Sequence, residues 1–567
     1  MTTRIIPPPA PGVWPSCAAL GRSSDVVAIT RSSVEGMTAS APSVPADAGI
    51  LDPRTGEHVT SVYRIAQAEP GRTAVIEASG RQVIFGELAD AAHGYARGLQ
   101  ALGLTAGDGI VLLAPNGIGF LEVYFAALEI GLYVAPANWH LTGPEVAYIL
   151  ENSGSTVFVA DERFADVATA AASEAGLDPA RCYAIGDVPG FRPLAELTAP
   201  AEGSDPLPRD RTLGAPMLYT SGTTGRPKGV RRPLTGASPD QVTVPNYYFF
   251  AGFGIEGSDN VHICGSPLYH TAVLNFVAIS LNLGQAVVLM DKWTPEEMLR
   301  LIDAHGVTQS HMVPTQFSRL LELPEDVRAT YDVSSLRTIV HGAAPCPQHV
   351  KQAMLDWWGP VLTEYYAGTE GGGCTITGEE WLRKPGSVGR PWRTTTLKIL
   401  DDDGNEVPTG DTGNVYLQMH GSRFEYHQDA EKTAKTYVGD LFTMGDIGYV
   451  DEDGYLFLCD RKNDMIISGG VNIYPAEIEA EMTRHDAVRD AAVFGIPHAD
   501  WGEEVKAVIE LAEGYTESDE LTAQILSDLS ARLAKYKMPR SIDVVDELPR
   551  QANGKLMKRT LKDPYWA

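Results

Sequence analysis

Within residues 219–230 the chain reads YTSGTTGRPKGV, a hydroxyl-rich, glycine-rich loop ending on a lysine. Ser221, Thr223 and Thr224 supply O–H donors. Gly222, Gly225 and Gly229 let the backbone turn its N–H groups toward one point. Lys228 adds a positive charge. Such a set makes a cradle for a polyphosphate. Surface loops rich in Ser, Thr and Gly share this composition, but apolar strand-like stretches at 215–219 and Val261–Cys264 bracket this one. The kinase and GTPase phosphate loop is excluded, because it needs Ser or Thr directly after the lysine and Gly229 stands there.

Five further stretches carry candidate chemistry. SPLYHTA (266–272) places His270 behind an apolar strand and a proline. EYYAGTEGGG (364–373) offers aromatic rings, a hydroxyl and a carboxylate in Tyr366, Thr369 and Glu370. FTMGDIG (442–448) holds Asp446, and DRKNDMIISGGVNIYPAEIE (460–479) holds Arg461, Asn463, Gly469 and Gly470. RQANGKLMKRTL (550–561) sets Lys555 after Asn-Gly, a tight turn that puts the amine at a loop tip. A GxGxxG spelled by residues 252–257 is a decoy: turn and strand follow it, not a helix, and no acid lies about 20 residues on.

In this order the six stretches closely resemble the signature motifs of the adenylate-forming superfamily, which includes acyl-CoA synthetases, luciferases and peptide-synthetase adenylation domains. The resemblance spans about residues 60–565. It implies a reaction in two steps: a carboxylate attacks the α-phosphate of ATP to give acyl-AMP and diphosphate, and the thiol of coenzyme A then takes the acyl group. By that resemblance the loop of Ser221, Gly222, Thr223, Thr224, Gly225 and Lys228 grips the phosphates. Tyr366 stacks on adenine and Thr369 meets the α-phosphate. Glu370, with Thr223, holds Mg²⁺. Asp446 and Arg461 hold the ribose. Ala343 and Ala344 line the nucleotide and acyl pockets. Asn463 is the hinge, Gly469 and Gly470 flank the pantetheine tunnel, and Lys555 travels to the reacting carboxylate. His270 is a substrate-binding residue and not a base, since a carboxylic acid is already ionised at pH 7. Two positions depart from the usual pattern: Ala367 replaces a common glycine and Met444 a common threonine.

Two other readings are carried: an enzyme that makes acyl-AMP without using CoA, luciferase-like ones included, and a non-catalytic nucleotide-binding protein. The presence of Lys228, Glu370, Asp446, Arg461 and Lys555 together weighs against the second. With few residues after Lys555, no carrier-protein domain is expected. The acyl pocket candidates are 270–273, 312–315, 343–344, Tyr365 and 371–373. The glycine run suggests room for a bulky or long apolar acid: fatty, steroid-derived or aryl.

The elements that must hold these groups follow from pattern. Residues 1–55 are rich in Pro, Ser, Ala and Gly, and are expected to be mostly disordered, with Met37 a plausible alternative start. Over 56–460 strands alternate with helices, which predicts a large α/β domain of two doubly wound sheets plus a small β-barrel after residue 399. Residues 461–567 read as a small mobile α+β domain. The chain is 567 residues, 44% hydrophobic and 21% charged, ordinary values for a globular enzyme. A net charge of −28 disfavours nucleic acid and anionic membranes, so any anion site is made locally. Residues 531–562, with nine Lys/Arg against three acids, stand out on that background: either a solvated tail or, as the resemblance implies, the carrier of Lys555 with neighbouring cations for the 3′-phosphate of CoA. Six scattered cysteines without a CxxC pair, no signal peptide and no apolar run long enough to span a bilayer fit a cytoplasmic enzyme. The sequence does not encode a legible oligomeric state; a homodimer stays open.

Overall fold

The computed structural model of the chain describes residues 50–51, 58–199, 207–220, 228–240, 249–255, 257–421, 423–551 and 554–566. Ser221, Gly222, Thr223, Thr224 and Gly225 lie outside these residues, as does nearly all of the extension expected over 1–55.

Two large sheets dominate. One has six strands, all paired in parallel, with Gly109–Leu113 and Val157–Asp161 at its centre. Both central strands are buried at every residue, as sheets covered on both faces require. The other has nine strands; its parallel middle runs Leu362–Ala367, Thr338–His341, Gln309–Met312, Val261–Cys264, Ala286–Leu289 and Thr73–Glu77. Antiparallel strands close both of its edges.

Local chemistry sets the helix ends. Helix Gly143–Ser153 starts on Thr142, whose backbone N–H and hydroxyl both donate to Glu145, and it stops at Gly154 in the left-handed region (φ 66°). Helix Pro295–His305 opens on a proline and likewise ends on a left-handed glycine, Gly306. Helices Phe85–Ala101, Ile118–Glu129 and Thr271–Asn282 lie between the two sheets and share one continuous core with strands of both. Inside that layer Glu129 is fully buried and bridges Arg211 Nε at 2.6 Å and His93 Nδ1 at 2.8 Å, while Arg211 also pairs with Asp240. Breaking a buried network at one member leaves the other charges uncompensated. Glu129→Gln is therefore expected to lower stability by about 3 kcal/mol, read as an earlier midpoint in urea denaturation.

After residue 394 the pattern turns antiparallel. Thr395–Leu400, Gly413–Met419, Leu441–Val450, Tyr437–Val438 and Leu456–Arg461 form a five-stranded sheet. A last five-stranded sheet follows, built on Val488–His498 and Gly502–Leu511, with its own core against helices Pro475–Met482 and Asp519–Ser530. The described cysteines are all free, and no helix is long and apolar enough to cross a membrane.

Candidate active site

From strand Val261–Cys264 the chain steps to Ala286–Leu289 on one side, then returns to Gln309–Met312 on the other. A crevice outside the carboxyl ends is expected wherever strand order reverses in this way. The segments leaving those ends carry His270 and Thr315. His270 precedes helix Thr271–Asn282, and its ring lies 4.4 Å from that of Tyr269. Its Nε2 is buried without a hydrogen-bond partner. Burial, helped by His311 and His140, pushes its pKa down to about 3, so the imidazole is neutral at any working pH.

Strand Leu362–Ala367 presents neighbouring side chains to opposite faces. Tyr365 turns one way, its hydroxyl 2.9 Å from His311 Nε2. Tyr366 turns the other and donates to Asp446 Oδ2 at 2.7 Å. Asp446 pairs in register with Arg461, whose Nε lies 3.4 Å from its Oδ1. Strand Leu362–Ala367 and strand Leu441–Val450, from two different sheets, thus hold the aromatic residue and the acid together. Ala367 is opposite Gly373, and a Cβ on Gly373 would come within 2.9 Å of the Ala367 methyl; the bare partner is what admits the alanine. Met444 lies over Gly368 in the same manner, since a Cβ there would meet its sulfur at 2.3 Å.

Beyond the strand, Thr369 Oγ1 lies 3.0 Å from Thr271 Oγ1, and the Thr369 carbonyl accepts from Arg232 Nη2 at 2.6 Å. Glu370 Oε1 accepts from the Tyr426 hydroxyl at 2.8 Å. Strand Lys228–Arg231 pairs with Glu425–Tyr426, which brings Lys228 to Asp429, an ion pair, and to the Tyr426 ring. Lys432 covers the same ring at 4.6 Å, and burial with Lys228 nearby lowers its pKa. Two ammonium groups are therefore gathered beside Glu370 in a strongly acidic protein. Ala343 adopts φ 68°, a left-handed conformation that costs a non-glycine residue roughly 1 kcal/mol. It follows Gly342, where a Cβ would strike the Tyr365 carbonyl at 2.7 Å. Ala344 completes that turn.

Lys555 comes to the same place from the far end of the chain. Burial lowers its ammonium below the ordinary value, Arg461 adds to the drop, and Asp464, Asp446 and Glu370 oppose it. The preceding Gly554 is seated on the large domain: a Cβ there would meet Thr315 Oγ1 at 2.7 Å. Lys228, Tyr366, Thr369, Glu370, Asp446, Arg461 and Lys555 are thus gathered around one site. Asn463 is exposed in the turn after Arg461. Gly469 and Gly470 are not brought to the site; they form an exposed turn between Ile466–Ser468 and Val471–Ile473, both at positive φ.

Several participants carry no signal in the sequence. Arg232, Tyr426, Asp429 and Lys432 belong to no motif and reach the site only through strand pairing. Trp501 is 40% exposed, stacks on His498 at 4.4 Å, lies against the Arg540 guanidinium at 4.7 Å, and its carbonyl accepts from Gly469 N.

This geometry can be set beside known proteins. Residues 62–422 match the AMP-binding enzyme family, and residues 477–555 match the AMP-binding enzyme C-terminal domain. The chain is 32% identical over 518 residues to the fatty acid–[acyl-carrier-protein] ligase ScoC of Streptomyces coeruleorubidus, covering 88% of this chain and 95% of that protein. It is 34% identical over 499 residues to a feruloyl-CoA synthase of an Amycolatopsis species, covering 87% and 96%. Among solved structures, the o-succinylbenzoate CoA synthetase MenE of Bacillus subtilis, in complex with its acyl-adenylate intermediate, superposes with a TM-score of 0.72 at 28% identity, over 89% of this chain and 98% of that one. The chain belongs to the AMP-binding enzyme family, and within it to the adenylate-forming enzymes of the acyl-CoA synthetase type.

Proposed function

We propose that this enzyme joins a monocarboxylic acid with a bulky apolar acyl group to coenzyme A, through acyl-AMP, in the cytoplasm. The observation that carries the reading is the gathering of Lys555, Arg461, Asp446 and Glu370 around one site. The cations suit a triphosphate, the Tyr366–Asp446 pair suits a nucleoside, and neutral His270 suits the uncharged side of an acyl group.

In the first step the carboxylate displaces diphosphate from the α-phosphate. Lys228 and Lys432 hold the outer phosphates, and Lys555 meets charge developing at the reaction centre. Glu370, whose carboxylate lies between the Tyr426 hydroxyl and Lys555, is the acid that would hold Mg²⁺ together with substrate phosphate oxygens. Mg²⁺ bound there supplies charge neutralisation on the phosphates.

For the second step the domain from 461 on turns about Asn463. The face it would present is apolar and exposed: Ile467, Val471 and Trp501 surround the Gly469–Gly470 turn. A pantetheine arm can pass a bare turn, and an exposed indole offers it a wall. Trp501→Ala is expected to raise the KM for CoA about tenfold, in keeping with the loss of one stacked aromatic contact, while the KM for ATP holds; steady-state kinetics in each substrate reads this directly.

The acid class rests on the rings beside Tyr365. Phe249, Phe253, Phe276, Trp392 and His311 join it in one cluster with centroid spacings from 5.0 to 6.4 Å, and burial holds His311 neutral with a pKa of about 4. A cluster without a cation favours apolar acyl groups over dicarboxylates. The test is ATP–diphosphate exchange across fatty, aryl and steroid-derived acids and succinate, followed by CoA consumption. Exchange with succinate alone overturns the acid class. Exchange without CoA consumption overturns the second step and favours an acyl-AMP product or a carrier-bound acceptor thiol, the kind of acceptor named for ScoC.

A further inference from the structure

Delivering Lys555 to the site is one problem; aiming it is another. The described part of its turn is a tight hairpin tip. Arg550 bridges Leu556, Gln551 N donates to the Lys555 carbonyl, and Met557 N donates to the Pro549 carbonyl, each bond 2.8 Å long. Leu556 and Leu548 anchor the base of the tip in a small core with Ala492, Phe494 and Val508. At the tip itself, Gly554 has φ +77°, and one charged side chain holds its carbonyl: Arg550 Nη1 donates to Gly554 O at 2.6 Å. The other edge of the guanidinium grips Asp490 on strand Val488–His498, Nε to Oδ2 at 2.6 Å and Nη2 to Oδ1 at 2.7 Å.

That carbonyl belongs to the peptide unit whose nitrogen is Lys555 N. Fixing its plane, with the Lys555 carbonyl held on the other side by Gln551 N, sets the direction in which the Lys555 side chain leaves the backbone. A bidentate Arg–carboxylate pair is the stiffest side-chain fork available for this purpose. Both ends of the fork lie in the small domain, so the clamp travels with Lys555. The neighbouring Arg489 reaches across to Glu322 of the large domain, with N–O distances of 3.2 Å. Consecutive residues of one strand thus serve the two tasks separately: Arg489 meets the large domain, and Asp490, through Arg550, orients the tip.

We infer that Arg550, anchored by Asp490, is the positioning residue for Lys555 in the adenylate-forming step. The inference deepens the function proposed above and rests on it for the identity of the step, but the orientation of Lys555 can be read without any turnover. The first measurement is the rate of Lys555 reductive methylation, followed by mass spectrometry with Lys558 as internal reference. Lys558 is largely buried in an ion pair with Glu479, whereas Arg550 is paired with Asp490. In Arg550→Ala and Asp490→Asn the Lys555 rate is expected to rise several-fold relative to Lys558, and in Arg550→Lys less so. The second measurement is ATP–diphosphate exchange with the fastest acid of the panel, beside thiolysis of the matching synthetic acyl-AMP. Arg550→Ala should lower the exchange rate constant on the order of 100-fold, the scale of a small misplacement at a reacting centre, with the KM for ATP and the thiolysis rate little changed. Unchanged methylation in both variants overturns the inference, and so does equal loss in both half-reactions by Arg550→Ala and Arg550→Lys alike at an unchanged urea midpoint, since a positioning role for Lys555 touches the first step alone. If the wild type exchanges with no acid while methylation responds as expected, the reaction assignment falls and the positioning role stands.

Discussion

Lys555→Ala is expected to cut acid-dependent ATP–diphosphate exchange by about 10³-fold, while thiolysis of a supplied acyl-AMP stays close to wild type. The reason is where the ammonium sits. It is partly buried, depressed in pKa by that burial, and within the fields of Arg461, Asp464, Asp446 and Glu370. A cation placed there at the expense of its solvation is poised for an anion, and the phosphate of the nucleotide supplies one. Removing it leaves the phosphate-side cations Lys228 and Lys432 in place, so ATP still binds, but the charge that develops at the α-phosphate loses its nearest partner. The alanine variant should fold, because the side chain takes no part in the small core that holds Leu548 and Leu556. The depressed pKa adds a pH signature. The charged form persists below the pKa and is lost above it, so wild-type exchange should fall with rising pH earlier than an ordinary lysine would dictate, and that alkaline limb should be absent from the residual activity of Lys555→Ala. Loss of both half-reactions to the same extent would sink the assignment of Lys555 to the first step alone.

What the sequence made legible divides along a physical line. Strands Tyr133–Pro136, Val261–Cys264 and Ala286–Leu289, and helix Pro295–His305, were readable to the residue, because short apolar runs and a Thr-Pro start with a glycine stop are local signals. Strands Thr73–Glu77 and Cys182–Ile185 were not, although turn residues bracket both, Pro70-Gly71 and Ser79-Gly80 the first, Asp178-Pro179 and Gly186 the second: runs of three or four apolar residues do not by themselves separate strand from coil. In the C-terminal domain, Val488–His498 and Gly502–Leu511 run well past their apolar centres: Asp490, Glu503 and Glu504 take part in the ladder through backbone pairing, to which hydropathy is blind. The site shows the same division. Residues inside motifs could be named from their wording. Tyr426, Asp429 and Lys432 could not, because they reach Glu370 and Lys228 only through the pairing of Val230 with Tyr426, a long-range register that no local pattern encodes. Arg550 and Asp490 are a third kind: the arginine sits in a motif, but its role depends on a partner sixty residues away. Ser221, Gly222, Thr223, Thr224 and Gly225, the most telling stretch of the sequence, lie outside the described residues.

Gly470→Leu should give the converse phenotype: exchange retained within about twofold, and transfer to CoA reduced by 100-fold or more, the scale on which a misplaced reacting group loses its advantage. Gly470 stands at φ +80°, with no atom within 4 Å of a Cβ built on it. A leucine there meets no obstacle in the present arrangement; its cost is confined to the left-handed backbone, roughly 1–2 kcal/mol taken up by an exposed turn. The adenylate-forming arrangement therefore tolerates it. Once the small domain has turned, the same residue is proposed to border the path of the pantetheine arm, where four added carbons occupy the space the thiol must cross. A free thiol with a pKa of about 8.5 is only slightly ionised at neutral pH, so the second step depends closely on approach geometry and has little reactivity to spare. Gly469→Ala is the graded companion: its φ of +58° is one that alanine adopts with less strain than leucine at Gly470, and its Cβ would lie 3.9 Å from the Trp501 ring, so a partial loss of transfer is expected. Stopped-flow release of AMP from preformed acyl-AMP, with and without CoA, separates the two steps. If Gly470→Leu transfers at the wild-type rate, the glycine turn does not border the thiol path. If it loses exchange as severely as transfer, the turn serves the first step as well, and two separate domain arrangements are no longer required.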